Sequence, residues 1–208
     1  MTATTRDKLL DATIRVLAEQ GIAKASARTV ATAAGVNQAL VFYHFGSVDE
    51  LLAAACEHGA RTRVEANRAA LDAVTTLPQL VEAARHIHAS ERDAGHVALL
   101  GQLLAGAPSH PSLSAATAAG LSLWIAEVER VLQRVLAPTV LAELVDVPGL
   151  ARAISSSFVG LELYEGVDPD GADQAFASLD ALAALITVLT ELGPIEERAL
   201  RRKLRRRP

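Results

Sequence analysis

Aromatic side chains are scarce in this 208-residue chain: one Trp, two Tyr and four Phe. Strands favour aromatic and β-branched residues, so this scarcity, set against 41 alanines, argues against a β-sheet core and for an all-helical protein. The single cysteine, Cys56, excludes an internal disulfide framework and a cysteine-rich zinc site. No run of about 18 apolar residues occurs, and no charged-then-apolar leader opens the chain, so the expectation is a cytoplasmic protein that does not span a membrane. What the chain does have is apolar character. Half of its residues are hydrophobic and 21% are charged, which excludes disorder over most of its length. One large domain or two small ones can form, with a buried core and room for a pocket.

The net charge of −4 conceals a pattern. Residues 1–48 carry +2, residues 49–197 carry −13, and residues 198–208 carry +7. Nucleic acid repels an acidic body, so any DNA contact has to come from the near-neutral head or the basic tail. The tail, EERALRRKLRRRP from 196, admits three readings: a solvated end, a charged cap on the last helix, or an auxiliary DNA arm.

Helix signals divide the chain. Leu10, Ile14 and Leu17 follow Thr4 and Thr5 at helical spacing, and Gly21 stops that helix. Ser26 caps a short second helix that Gly35 ends; Asn37 caps a third reaching about Phe45. Ser47 with Glu50 forms a capping box on a longer helix running to the break at 75–78. Pro78 opens the next helix, Gly106–Pro111 is a loop, and one long pattern covers Ser112 to about Leu136. An apolar helix with Leu150, Ile154, Phe158 and Leu161 follows Pro148. Residues 165–173 form a turn-rich connector, and a last helix with Phe176, Leu182 and Leu189 ends at Gly193-Pro194. Nine or ten helices are predicted. The final two are apolar on more than one stripe, which fits either a central core pair or a four-helix bundle formed with a second copy.

The most informative stretch is SARTVATAAGVNQALVFYHFGS, residues 26–47. Two short helices with a turn at Gly35-Val36 are compatible with a helix-turn-helix. Val36, Val41 and Phe45 can bury one side against Leu10, Ile14, Leu17 and Val30, which leaves Gln38, Ala39, Phe42 and Tyr43 on the far side. Three of the seven aromatics fall within residues 42–45, more than a core this small can absorb. An αα-hairpin with aromatic staples is the alternative on periodicity alone.

The head resembles the TetR family of transcriptional regulators in LLDATIRVLAEQG, Ser26, VATAAGV (30–36), VFYHF (41–45) and SVDEL (47–51), in order and at matching spacing. The resemblance implies an N-terminal three-helix helix-turn-helix head (1–48), a helical ligand-binding and dimerisation body (49–197) and a basic tail (198–208). It implies a homodimer on a palindromic double-stranded DNA operator, released by a small-molecule effector. Two positions depart from the family pattern: Phe42 replaces a tyrosine and Val48 a lysine. By resemblance, Ser26 and Thr29 meet phosphate, Arg28 reads guanine, Gln38 reads adenine, and Asn37 and Ala39 lie against the groove. Phe42 offers an apolar edge, and Tyr43 and His44 form a phosphate-contacting pair.

For a ligand pocket the resemblance points to the body, with His86, His96, His110, Gln102, Trp124, Glu127, Phe158 and Tyr164 as candidate lining residues. His86 and His88 stand two apart on different helix faces and cannot share a metal. The segment DPDGAD lacks the remaining ligands of a calcium loop, and Cys56 and His58 cannot meet as nucleophile and base. No metal, cofactor or catalytic constellation is expected. The reading is a ligand-responsive DNA-binding regulator, a repressor. The alternative is an all-helical small-molecule-binding or scaffold protein with weak or no DNA binding.

Overall fold

The structure, a computed structural model, describes residues 4–109, 111–143 and 145–190. His110, the predicted helix end at Gly193-Pro194 and the basic tail lie outside the described residues. Among those described, nine α-helices and three short 3-10 segments occur and no strand. The helices are α1 (Thr5–Gln20), α2 (Ala27–Ala34), α3 (Ala39–Phe45), α4 (Val48–Asp72), α5 (Leu77–Asp93), α6 (His96–Gly106), α7 (Pro111–Leu136), α8 (Val147–Glu165) and α9 (Pro169–Thr190). The protein is all-α.

The boundaries have local causes. Thr4 and Asp7 form a reciprocal capping box at the start of α1. Ser26 Oγ accepts the Thr29 N–H at 3.1 Å, and Ser47 Oγ accepts that of Glu50 at 3.1 Å, one half of the predicted box. Gly35 ends α2 at φ +68°, ψ 33°, a left-handed conformation that any side chain would strain.

Two boundaries differ from the sequence reading. The connector predicted over 165–173 shrinks to 166–168, because Asp168 caps α9 and Pro169 occupies its first turn. Asp168 Oδ1 accepts the Gly171 N–H at 3.0 Å. Asp-Pro-Asp-Gly is turn-like in composition, yet an acidic cap followed by proline is also how helices begin. The second difference is a break between α5 and α6, where Gly95 sits at φ +77°.

The chain divides into two compact units. The first comprises residues up to Ala66 together with Ser90–Trp124; the second comprises Asn67–Ala89 and the described residues from Ile125 onward. In the first unit, α1, α2, α3 and the start of α4 enclose Leu9, Leu10, Val16, Val30, Val41 and Leu51, each at most 1% exposed. Val36 and Phe45 pack on that cluster as predicted. Leu17 instead joins a neighbouring cluster with Leu52, Leu99, Leu103 and Leu113, because it points toward α6 and α7 rather than α3. Each fully buried leucine contributes roughly 1.5–3 kcal/mol. In the second unit, α8 packs on α9, and His88, Glu127 and Glu162 are buried alongside aliphatic residues such as Val131 and Leu132.

Candidate nucleic-acid interface

The helix pair α2–α3 is held from beneath. Val30, Ala31 and Val41 bury against α1, and Arg15 of α1 donates through Nη2 to the carbonyl of Ala33 at 3.1 Å. Gly35 turns the chain, the Val36 N–H returns to the Ala31 carbonyl at 3.0 Å, and Asn37 Oδ1 accepts the Ala39 N–H at 2.8 Å. Helix α3 is thereby fixed in angle before any side chain on its outer face is considered.

That outer face is open. Arg28, Asn37, Gln38 and Ala39 are exposed, Phe42 is 47% exposed and Tyr43 81% exposed. Ser26 is exposed and shares a 2.8 Å hydrogen bond with the half-buried Thr29 hydroxyl, so both oxygens stand at the start of α2 beside its free N–H groups. His44 is half-buried and meets Tyr43 edge-on at 5.0 Å between ring centroids. All nine residues assigned to DNA contact therefore fall on two adjacent short helices and the turn joining them. Their chemistry suits a duplex: a guanidinium and a carboxamide for base edges, hydroxyls and an imidazole for phosphates, and an apolar edge for sugar or thymine methyl.

Residues 9–55 match the profile of the bacterial regulatory proteins of the tetR family. The helix-turn-helix stretch lies inside that match. The TetR-like fold extends further. A crystal structure of a transcriptional regulator from Streptomyces coelicolor A3(2) superposes with a TM-score of 0.69 at 24% identity, covering 87% of this chain and 99% of that one. The multidrug binding protein EbrR, crystallised with imidazole, gives a TM-score of 0.60 at 26% identity over 86% and 96% of the two chains. A TetR transcription regulator from Haloarcula marismortui gives 0.69 at 17% identity over 87% and 97%. Comparison with curated proteins gave no match. The fold of the chain is therefore TetR-like, its residues 9–55 are similar to the head of the tetR-family regulatory proteins, and no single helix among its described residues is long and apolar enough to cross a membrane.

The candidate ligand residues are divided between the two units. His96, Gln102 and Trp124 belong to the first unit, whereas His86, Glu127, Phe158 and Tyr164 belong to the second. His96 Nδ1 lies 3.0 Å from Glu91 Oε2, which also accepts from Arg63 Nε at 3.1 Å. Gln102 lies over Gly21, its Oε1 3.1 Å from where a Cβ would sit, so a side chain there would be crowded as well as strained at φ +80°. Trp124 is half-buried and His86 is exposed. Glu127 is buried between Arg68 at 3.1 Å and Arg130 at 2.7 Å, and Arg130 also reaches Asp72 at 2.6 Å. These hydrogen bonds, those donated to Glu127 above all, raise the Arg130 pKa. The exposed Tyr164 donates its hydroxyl to Asp168, which raises the tyrosine pKa and lowers that of the carboxyl. A cavity of about 170 Å³ in the first unit is lined by Ile22, Ala25, Val48, Asp49, Leu52, Ser112 and Leu113, none of them predicted.

Sequence reasoning also passed over the residue that is buried. His88 is 3% exposed and lies between two carboxylates, with Nε2 2.5 Å from Glu165 and Nδ1 3.4 Å from Glu162. Its ring packs against Phe176 at 5.7 Å and Phe158 at 6.0 Å. The signal was present: His88 lies four residues after Ala84, on the stripe Leu80–Ala84–Ile87, and Glu162 lies four after Phe158. Among the described residues no three His, Cys, Asp or Glu side chains are arranged to hold a metal ion.

Proposed function

We propose that this chain is a ligand-responsive repressor that binds a palindromic operator as a homodimer and is released by a small molecule. The observation that carries the DNA reading is the α2–α3 face. Ser26, Arg28, Gln38, Phe42 and Tyr43 stand clear of a sealed apolar base that fixes their orientation. In this reading Arg28 and Gln38 address base edges, while Ser26, Thr29, Tyr43 and His44 address phosphates. Asn37 and Ala39 let the helix end approach the groove closely.

Dimerisation is supported by α8 and α9. Leu179, Leu182, Leu185 and Val188 recur along α9 at helical spacing and are 40–60% exposed, and Leu163, Tyr164 and Val167 are exposed near the end of α8. A contiguous apolar surface of this kind marks a protein contact, and a second copy with the same face makes a closed two-fold pair. Effector release is supported by likeness to a multidrug binding protein that holds imidazole, and by the aromatic and charged groups around Phe158. Fluorescence anisotropy against duplexes from the chain's own upstream region, beside scrambled duplexes, tests the proposal. Tight binding to an upstream duplex, weakened by compounds that raise the protein's melting temperature, is the expected result. Weak or no binding to any of the duplexes would favour the scaffold alternative.

A further inference from the structure

Of the three head cations given no role above, Arg6, Lys8 and Lys24, only Arg6 lies against an aromatic ring among the described residues. Arg6 lies in the first turn of α1, is exposed, and places its guanidinium 5.2 Å from the centroid of the Phe45 ring. Phe45 meets His44 at 6.3 Å, and His44 meets Tyr43 at 5.0 Å, each ring edge-on to the next. Arg6 therefore closes a ladder that runs from the most exposed aromatic of the recognition helix to the N-terminus of α1. We propose that Arg6 is a phosphate-contacting residue of the DNA interface, positioned by the Phe45 ring at the C-terminal end of α3.

Three physical points carry this, on the DNA-binding reading given above. First, a guanidinium stacked on a ring face uses its π surface and leaves its N–H donors free in the plane, which suits bidentate binding to a phosphate. The stack also restricts a side chain that would otherwise lose rotamer entropy on binding. Second, the first turn of α4 offers phosphate nothing cationic. Helix α4 opens with Val48, Asp49 and Glu50, the last two exposed, so a cation is needed nearby to offset their repulsion. Third, Arg6 is the head cation that an aromatic ring positions; Lys8, exposed on the same helix, has no such ring contact among the described residues, and the others are committed or stand elsewhere. Arg15 is bound to the Ala33 carbonyl, Arg28 stands on α2, and Lys24 lies in the turn before Ser26. Asp7, the acid nearest Arg6 in sequence, is held by Thr4 in the capping box, and those hydrogen bonds keep its carboxyl ionised below the usual range.

The test measures binding of the full chain to its upstream duplex and to a random duplex as a function of KCl. Each neutralised phosphate contributes about 0.9 to the slope of log K against log salt. Arg6→Ala should flatten the slope by that amount per protomer, weaken both duplexes by the same factor, and leave the preference between them unchanged. Arg6→Lys should keep the slope, and Phe45→Leu, if its melting temperature holds, should weaken binding while Arg6 is still present. A wild-type chain that prefers its upstream duplex together with an unchanged slope in Arg6→Ala would overturn the assignment alone. A change of preference in Arg6→Ala would make Arg6 a base reader instead and also overturn it. A wild-type chain that binds no duplex would bring down the DNA-binding reading itself.

Discussion

The head and the α8–α9 pair both leave hydrophobic side chains exposed, and they do so differently. In the head, Phe42 and Tyr43 stand among Arg28, Asn37 and Gln38, above a core in which Val41 and Val30 are completely buried. In α9, Leu179, Leu182, Leu185 and Val188 form an aliphatic row flanked by alanines such as Ala181 and Ala184, and Glu162 and His88 are buried inside the same unit. Aromatic edges mixed with donors fit a polar, patterned ligand such as a duplex, whereas an aliphatic row fits another apolar surface. Exposure alone is ambiguous; the company an exposed residue keeps decides what it is for.

The largest expected effect separates the two regions by stability. Leu10→Ala empties a sealed site in the head and should cost about 2–5 kcal/mol, read as a lower denaturation midpoint, while Leu182→Ala should leave protomer folding nearly unchanged. A comparable loss from both, measured at a concentration where the chain is monomeric, would mean that α9 is core rather than surface. Next, Leu182→Glu with Leu185→Glu should turn the dimer into monomers by light scattering while helicity is kept. A wild-type chain that is already monomeric at micromolar concentration would remove the aliphatic row from the interface.

The head is then probed by its polar groups. Arg28→Ala and Gln38→Ala should each cost about 1–3 kcal/mol on the preferred duplex and relax preference at one position, whereas Tyr43→Ala should weaken all duplexes evenly. The smallest effect concerns Cys56, packed half-buried against the Leu17–Leu52 cluster, where burial raises its thiol pKa to about 11. The protonated form is favoured by folding. The associated stability is fully present below the unfolded thiol's pKa near 9 and is lost as pH rises toward 11. At pH 8 native Cys56 should alkylate far more slowly than in the unfolded chain; equal rates would contradict its burial.

The head was legible in the sequence because its signals are local. Thr4, Gly21, Ser26, Gly35 and Ser47 each act within four residues, and each stands where the sequence placed it. The body was less legible for two reasons. Asp168-Pro169 carries the same composition whether it turns or caps, and only the register of α9 decides between them. The buried charge site joins His88 to residues 74 and 77 positions away, a separation at which no spacing rule speaks. His86 attracted notice as a histidine, yet its exposed position follows from a stripe that favours His88.

Footprinting across the chain's own upstream region shows whether α2 and α3 read DNA as a two-fold pair. Two protected half-sites related by a dyad and spaced by about one helical turn or a multiple of it are expected. Arg28→Ala should weaken both halves together at the same base position. A single unpaired footprint, or uniform protection that Arg28→Ala leaves unchanged, would contradict the two-fold reading.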